Sequence, residues 1–500
     1  MKINYVETEG IPILSWCALI KEHNEVTVYH GEGVYISDLG FIEGAWDGDF
    51  STFNFEQTDF LLGSGGKLNE NGQMIFATPS HTLERLYSIL IGEELYLSNS
   101  LPVILTFSKT ALMADYIYYE RDFCSIVHGL KDYVKNIPLQ NEQTLTIHYY
   151  CNLQIKNGHL IELPKAEIKP FKHFAQYKTR LFNTVNKIVQ NSQAPERESA
   201  YGLVTTISQG YDASACATIA KQFGCDVALT FNEPDRYLED SGAPIAEALG
   251  YSTIITKNAD YFKKNSDLLE AEFLASGELG NNAIFIAFEE EFKGNIVVTG
   301  IGGDFFWDIN EISNNQFVFF DENYPQFSMM EYRLRVGFIM LPIPYYGAAQ
   351  WESIHQINFA DNMKHYRLGG NYDRPIPRRL LEEAGVDRAL FANKNIGAGF
   401  NYRYDNLSRL KSRMSSTSFT DFHCYYQQNR RKSLMNSLYW IRFLWSSKII
   451  YTNFLLQKLH IPKQITRDYP LVPNPGPPSY LIQWAVNTMM AKIQAAMQSN

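Results

Sequence analysis

Over the first third of the chain, apolar and polar positions alternate in short runs. "EVTVYHGEGVYI" (25–36) and "TLTIHYY" (144–150) switch face along their length, and Gly, Asn and Asp turns separate such runs. Alternation of this kind marks half-buried strands, so residues 1–165 are expected to form a β-rich unit. Near 170 the period changes. "FKHFAQYKTRLFNTVNKIV" (171–189) has apolar residues at helical spacing, and "QNSQAPERES" (190–199) is a polar connector.

From 201 onward the two periods take turns. Strands are expected at "YGLVTTI" (201–207), "CDVALTF" (225–231), "YSTIITK" (251–257) and "NIVV" (295–298). Helices are expected at 213–223, "DSGAPIAEALG" (240–250) and "YFKKNSDLLEAEFLA" (261–275), the first two closed by glycine. Such βαβ alternation predicts a parallel sheet covered by helices. Past 310 the pattern is aromatic and mainly helical, and the aromatic stretches of 315–350 read as core before pocket lining. "PLVPNPGPP" (470–478) is a stiff break before a last helix, "SYLIQWAVNTMMAKIQAAM". The fold class is therefore α/β, in three parts: a β-rich unit at 1–165, a parallel-sheet unit at 170–460, and a Pro-rich segment with a C-terminal helix at 461–500.

Composition narrows the function classes. The 500 residues are 45% hydrophobic and 14% aromatic, enough for large cores. A net charge of -10 argues against nucleic acid as a partner, because phosphate binding requires a basic face. The local clusters Arg409/Lys411/Arg413 and Arg430/Arg431/Lys432 read as solvated faces. Six cysteines are scattered without a CxxC pair, which argues against a disulfide framework or a zinc site and fits a reducing cytoplasm. The N-terminal stretch lacks the apolar core of a signal peptide. "SLYWIRFLWSSKIIYTNFLL" (437–456) is interrupted by Arg442 and Lys448 and reads as a buried helix, not a membrane span. A cytoplasmic protein without membrane insertion is expected, and a homo-oligomer is left open.

The candidate chemistry sits where strands break off. After 201–207 comes Ser208-Gln209-Gly210-Tyr211-Asp212, and a helix starts at once. In a parallel sheet, ligands bind at the carboxyl ends of strands, where helix N-termini offer unpaired N–H groups suited to phosphate. Gly210 allows close backbone approach, and Ser208 and Ser214 add hydroxyls. Asp212 tolerates a phosphate neighbour only across a cation, which makes it a Mg²⁺ ligand candidate; the plain alternative is a helix N-cap. "NIVVTGIGGDFFWD" (295–308) repeats the arrangement, with Thr299, Gly300, Gly302 and Gly303 leading to Asp304. "GSGGK" (63–67) lacks the phosphate-loop spacing and reads as a plain loop, set in a hairpin.

These residues carry a resemblance. "ISQGYDASA" resembles the pyrophosphate-binding loop (S-G-G-x-D-S) of the N-type ATP pyrophosphatases, and "TGIGGDFFWD" is similar to the S-G-x-G-[GA]-D loop of asparagine synthetase B, β-lactam synthetase and lasso-peptide cyclase. "EDSGAPIAEALG" resembles the family's acidic helix, and "YDRPIPRRLLEEAGVDRALFANKN" the stretch that ends in its catalytic lysine, here Lys394. The resemblance spans 170–400. It implies a PP-loop synthetase domain of the adenine-nucleotide α-hydrolase type, with ATP and Mg²⁺ as cofactors. Ser208, Gln209, Gly210, Tyr211, Asp212, Ser214, Thr299, Gly300, Gly302 and Gly303 would bind the nucleotide, and Asp212 and Asp304 the metal. The implied reaction is adenylation of a carboxylate, release of pyrophosphate, and attack by an amine. Both substrates would be small molecules or peptides of natural-product or surface-sugar biosynthesis.

Several positions depart from the family pattern. Gln209 replaces a glycine, Ala213 a serine, and Phe305 an acid. Ile301 stands where relatives carry an acid or tyrosine, so the usual base is absent; Glu331 is the candidate replacement, with a solvated helix acid as its plain reading. "EGAWDGDFSTFNF", "MIFATPSHTLERLYSIL" and "LYLSNSLPVIL" resemble the family's Ntn-type glutaminase sandwich. Lys2 stands where the nucleophilic cysteine should be, and Cys17 lies in an apolar strand, which implies a retained fold without glutaminase activity. Two other readings stay open: a sulfur-transferring PP-loop enzyme, for which Cys216 is the nearest thiol, and a catalytically inactive scaffold.

Overall fold

A computed structural model describes residues 2–22, 25–156, 158–232, 240–264, 267–310, 328–370, 372–392, 400–403, 405–430 and 476–498, with 448, 452, 455 and 456. Lys394, most of 437–456 and most of 470–478 lie outside the described residues.

The first unit is built from two sheets. One has seven strands in the spatial order Lys2–Glu7, Glu25–His30, Trp16–Glu22, Glu94–Ser98, Leu86–Ile91, Thr144–His148 and Asn136–Pro138. The other has six, in the order His159–Pro164, Cys151–Lys156, Met74–Ala77, Leu61–Leu68, Gly40–Trp46 and Tyr35–Ser37. Their alternating apolar residues meet in one core, in which Trp16 and Val28 of the first sheet join Phe41, Phe76 and Leu153 of the second. Trp16 stacks on Phe76 with ring centroids 5.9 Å apart. "GSGGK", expected as a loop, instead lies within the strand Leu61–Leu68, where its small residues fit between the paired strands Gly40–Trp46 and Met74–Ala77.

The second unit contains a five-stranded sheet in which every neighbouring pair is parallel. Its order is Thr253–Asn258, Val227–Asn232, Gly202–Thr206, Asn295–Thr299 and Ile339–Pro342. The chain builds outward from Gly202–Thr206 in one direction, then returns to place Asn295–Thr299 on its other side. That reversal leaves a crevice between the carboxyl ends of these two strands, the usual ligand position in such sheets.

Four sequence expectations need correction. The region past 310, read as mainly helical, contributes the edge strand Ile339–Pro342, whose four residues are all buried; four apolar residues are too few to show a period. The helix expected over 261–275 divides into a 3₁₀ turn, Ala259–Lys264, and a short helix, Glu270–Ala275. The helix expected from 213 starts at Tyr211, with Gly210 as its N-cap, so Asp212 lies inside the first turn and is not the cap. The C-terminal helix Leu481–Gln498 is no appendage: it shares a core with the helices Leu101–Phe107, Glu270–Ala275 and Ser416–Asn429. Within the aromatic stretch of 315–350, residues 315–327 lie outside the described residues, and in the rest Tyr345 and Tyr346 are buried, in keeping with a core reading.

The helix Met330–Val336 joins the two units. Arg333 is fully buried between Glu43 (2.7 Å) and Glu84 (2.8 Å) of the first unit. Two residues earlier, Glu331 accepts hydrogen bonds from the Ser100 hydroxyl (2.7 Å) and the Leu101 amide (2.9 Å). No helix among the described residues is long and apolar enough to cross a membrane.

Candidate functional site

The loops at 207–211 and 299–303 leave adjacent parallel strands and touch. A Cβ added at Gly300 would lie 2.4 Å from the Ala213 amide nitrogen, and one at Gly303 would lie 2.2 Å from the Asp212 carboxyl carbon. Only glycine permits this approach, which sets Asp212 directly against the second loop. Gly302 adopts φ +88, a left-handed conformation suited to glycine, and a side chain there would strike Tyr345.

The first loop is braced from several sides. The Gly210 amide donates to Ser208 Oγ (3.1 Å), and the Gln209 amide donates to Asp240 (3.2 Å). The Gln209 carbonyl accepts from the Ala392 amide (2.7 Å), which brings the segment leading to Lys394 onto the loop. The Tyr211 amide donates to the Tyr372 hydroxyl (3.4 Å).

Two side chains expected in the phosphate cradle point elsewhere. Ser214 is buried and donates to the Ser208 carbonyl (2.5 Å), so it staples the loop. Tyr211 is buried against Tyr372 and Phe391, with its hydroxyl bonded to Arg378. The backbone of Tyr211 remains in the loop, but its ring belongs to the core.

Asp212 and Asp304 converge on a cation that sequence reasoning missed. Arg374, the residue before the helix Pro375–Glu383, donates to Asp212 Oδ2. Its guanidinium also stands 4.0 Å from Asp304 and 3.4 Å from Asp308, and lies over the Tyr372 ring at 4.8 Å. Burial pushes the Asp212 carboxyl up to about 8, with Asp304 adding to the rise and Arg374 opposing it. Burial likewise raises Asp308. The sequence held one faint signal for each missed residue: Asp308 follows Asp304 by one helical turn, and Arg374 precedes a Pro that fixes a helix start.

A hard divalent cation fits this donor set. Asp212 Oδ1 is buried and has no hydrogen-bond partner, as is Thr299 Oγ1 at the end of its strand. The Asp304 side chain is 40% exposed and open to a ligand. Paired carboxylates suit Mg²⁺, which takes one or two of them and leaves its other positions to phosphate and water.

Glu331 is neither a solvated acid nor part of this crevice. It is 1% exposed, and both its oxygens accept hydrogen bonds at the start of the helix Leu101–Phe107. Burial raises its carboxyl to about 7. Ile301 and Phe305 pack partly buried against the core, so neither supplies a base. Cys216 and Cys17 are fully buried, and burial drives both thiols upward, away from the nucleophilic thiolate.

No protein-family model matches the chain, and no curated protein matches it.

Proposed function

We propose that this protein is an ATP-dependent, AMP-forming ligase of the PP-loop, asparagine-synthetase-like type, which adenylates a carboxylate and joins it to an amine. The observation that carries the reading is the meeting of Asp212 and Asp304, from two Gly-rich loops, at the reversal point of the parallel sheet. Asp212, through its unpartnered oxygen, and Asp304 would hold Mg²⁺. When bound, the metal would offset charge on the departing pyrophosphate.

The chain's own contribution is positioning. The loop 208–210 presents backbone at the strand end and is held in place by Asp240, Ser214 and Ala392. Arg374 keeps the two carboxylates together and supplies a second positive charge beside them. Lys394, eleven residues beyond the end of the helix Pro375–Glu383 in the sequence, is the residue proposed to stabilise negative charge in the second step. The sandwich is read as an Ntn-like domain without glutaminase activity, because Cys17 is sealed within a strand. Free ammonia or a substrate amine would then be the nucleophile. Burial of Cys216 weighs against sulfur transfer.

The test is an ATP titration with and without Mg²⁺, beside Asp212→Ala and Asp304→Ala. Magnesium-dependent binding that both substitutions abolish supports the ligase, and AMP with pyrophosphate should then form with the right acid. If millimolar ATP does not bind, the inactive-scaffold reading takes its place, with Arg374 as a permanent substitute for the metal.

A further inference from the structure

A second group of donor side chains lies in the first unit, on elements that the nucleotide crevice does not use. His148 ends the strand Thr144–His148 of the seven-stranded sheet, and Cys151 opens the strand Cys151–Lys156 of the six-stranded sheet. The chain crosses between the sheets in only two residues, and Tyr150 makes the turn with φ 46. Glu162 comes from His159–Pro164, the antiparallel neighbour of Cys151–Lys156. One ring nitrogen, one sulfur and one carboxylate oxygen from these three residues all lie within 4.8 Å of one another.

We propose that His148, Cys151 and Glu162 form a binding site for a zinc-class divalent cation, with water as the fourth ligand. Imidazole together with thiolate selects Zn²⁺ over the oxygen-seeking Mg²⁺ or Ca²⁺. Thiolate and carboxylate together balance the 2+ charge, and binding releases the Cys151 thiol proton to solvent. The imidazole is already oriented: Nε2 lies 2.8 Å from Ser88 Oγ, and Nδ1 lies 2.8 Å from Glu162 Oε1. Ser88 thus holds the nitrogen that the metal does not use, the outer-shell role common around ligating histidines. His148, Ser88 and Cys151 are buried, while Glu162 is part-exposed and gives an entry path.

Lys135 now pairs with the carboxylate, its Nζ 2.6 Å from Glu162 Oε1, and would compete with a cation there. Its side chain is 38% exposed and can turn into solvent when a cation arrives. A Ser88–His148–Glu162 hydrogen-bond chain alone would need no thiol beside it. The metal reading accounts for the thiol, and the bound ion would clamp one sheet of the sandwich to the other.

The probe is Co²⁺, added to the full chain carrying Cys424→Ser so that the exposed cysteine does not compete. One equivalent should bind with a sulfur-to-cobalt charge-transfer band in the near ultraviolet, and Zn²⁺ should displace it. Cys151→Ser should abolish the band, and Ser88→Ala should weaken binding by about 10-fold. Lys135→Ala, a surface change that leaves the fold intact, should tighten binding. Absence of the band at millimolar Co²⁺, its survival in Cys151→Ser, or an affinity unaffected by Lys135→Ala would each overturn the site.

Discussion

The guanidinium of Arg374 donates to one oxygen of Asp212 and leaves the other buried and unpaired. The carboxyl is thus half compensated. Asp304 raises its cost further, and only Arg374 stands against that repulsion. Arg374→Met should therefore lower stability by about 1–3 kcal/mol at pH 7, the effect of a lost buried hydrogen-bond partner, because a carboxyl already raised to about 8 keeps its proton once the guanidinium is gone. Mg²⁺ should restore more stability to this variant than it adds to the wild type. Denaturant unfolding with and without Mg²⁺ measures both, and an equal response in the two proteins would remove the metal from Asp212.

The contact between the two loops depends on missing side chains. Gly300→Ala would drive a methyl group into the backbone of Asp212 and Ala213. The expected loss is about 1–3 kcal/mol, as for other overpacked sites, together with loss of Mg-ATP binding. Gly370→Ala is the control. Open space surrounds that position, and stability should change by less than about 0.5 kcal/mol. Comparable losses at both positions in thermal unfolding would show that close approach is not what Gly300 provides.

Glu331 makes stability depend on pH in a defined direction. Its carboxyl rises from the ordinary 4.5 to about 7 in the folded chain. Between those values the unfolded chain has released the proton and the folded chain keeps it, so stability falls as pH rises. Glu331→Gln removes this contribution. Relative to wild type, the variant should gain about 2 kcal/mol between pH 5 and pH 7.5. Urea unfolding at the two pH values decides it, and a constant difference would mean that the carboxyl titrates normally.

The ion pairs of Arg333 with Glu43 and Glu84 tie the two units together. All three side chains are buried, so Arg333→Leu leaves two carboxylates without a counter-charge. A loss of about 3–5 kcal/mol is expected. Adding Glu43→Gln and Glu84→Gln to Arg333→Leu should recover much of that loss. A triple variant no better than the single one would show that Arg333 acts through packing.

The parallel sheet was legible because its strands are β-branched runs separated by glycine-closed helices. The Gly-rich turns were legible because close approach of two backbones admits no other residue. Ile339–Pro342 was not, since a buried edge strand of four apolar residues carries neither the alternation of a strand nor the spacing of a helix. Arg374 was missed for another reason. It reaches Asp212 across 162 positions, and no local pattern encodes such a meeting. Glu331 misled because a charged residue in a short helix reads as solvated unless its distant partners, Ser100 and Leu101, are known. The His148/Cys151/Glu162 group carries no cysteine pair, and its three side chains come from three successive strands, so no local motif marks it.

The helix Met330–Val336 behaves as a crankshaft between the halves. Arg333 and Glu331 key one end into the sandwich, and the Leu334 carbonyl accepts from the Leu14 amide (2.9 Å). At the other end the chain turns at Gly337, against which Ile13 packs, and runs straight into Ile339–Pro342. That strand is the hydrogen-bonded neighbour of Asn295–Thr299, which carries the Asp304 loop. A twist of the sandwich against the parallel sheet would thus reach the acidic loop through this helix and its strand, so the two halves must turn together or the crevice must deform.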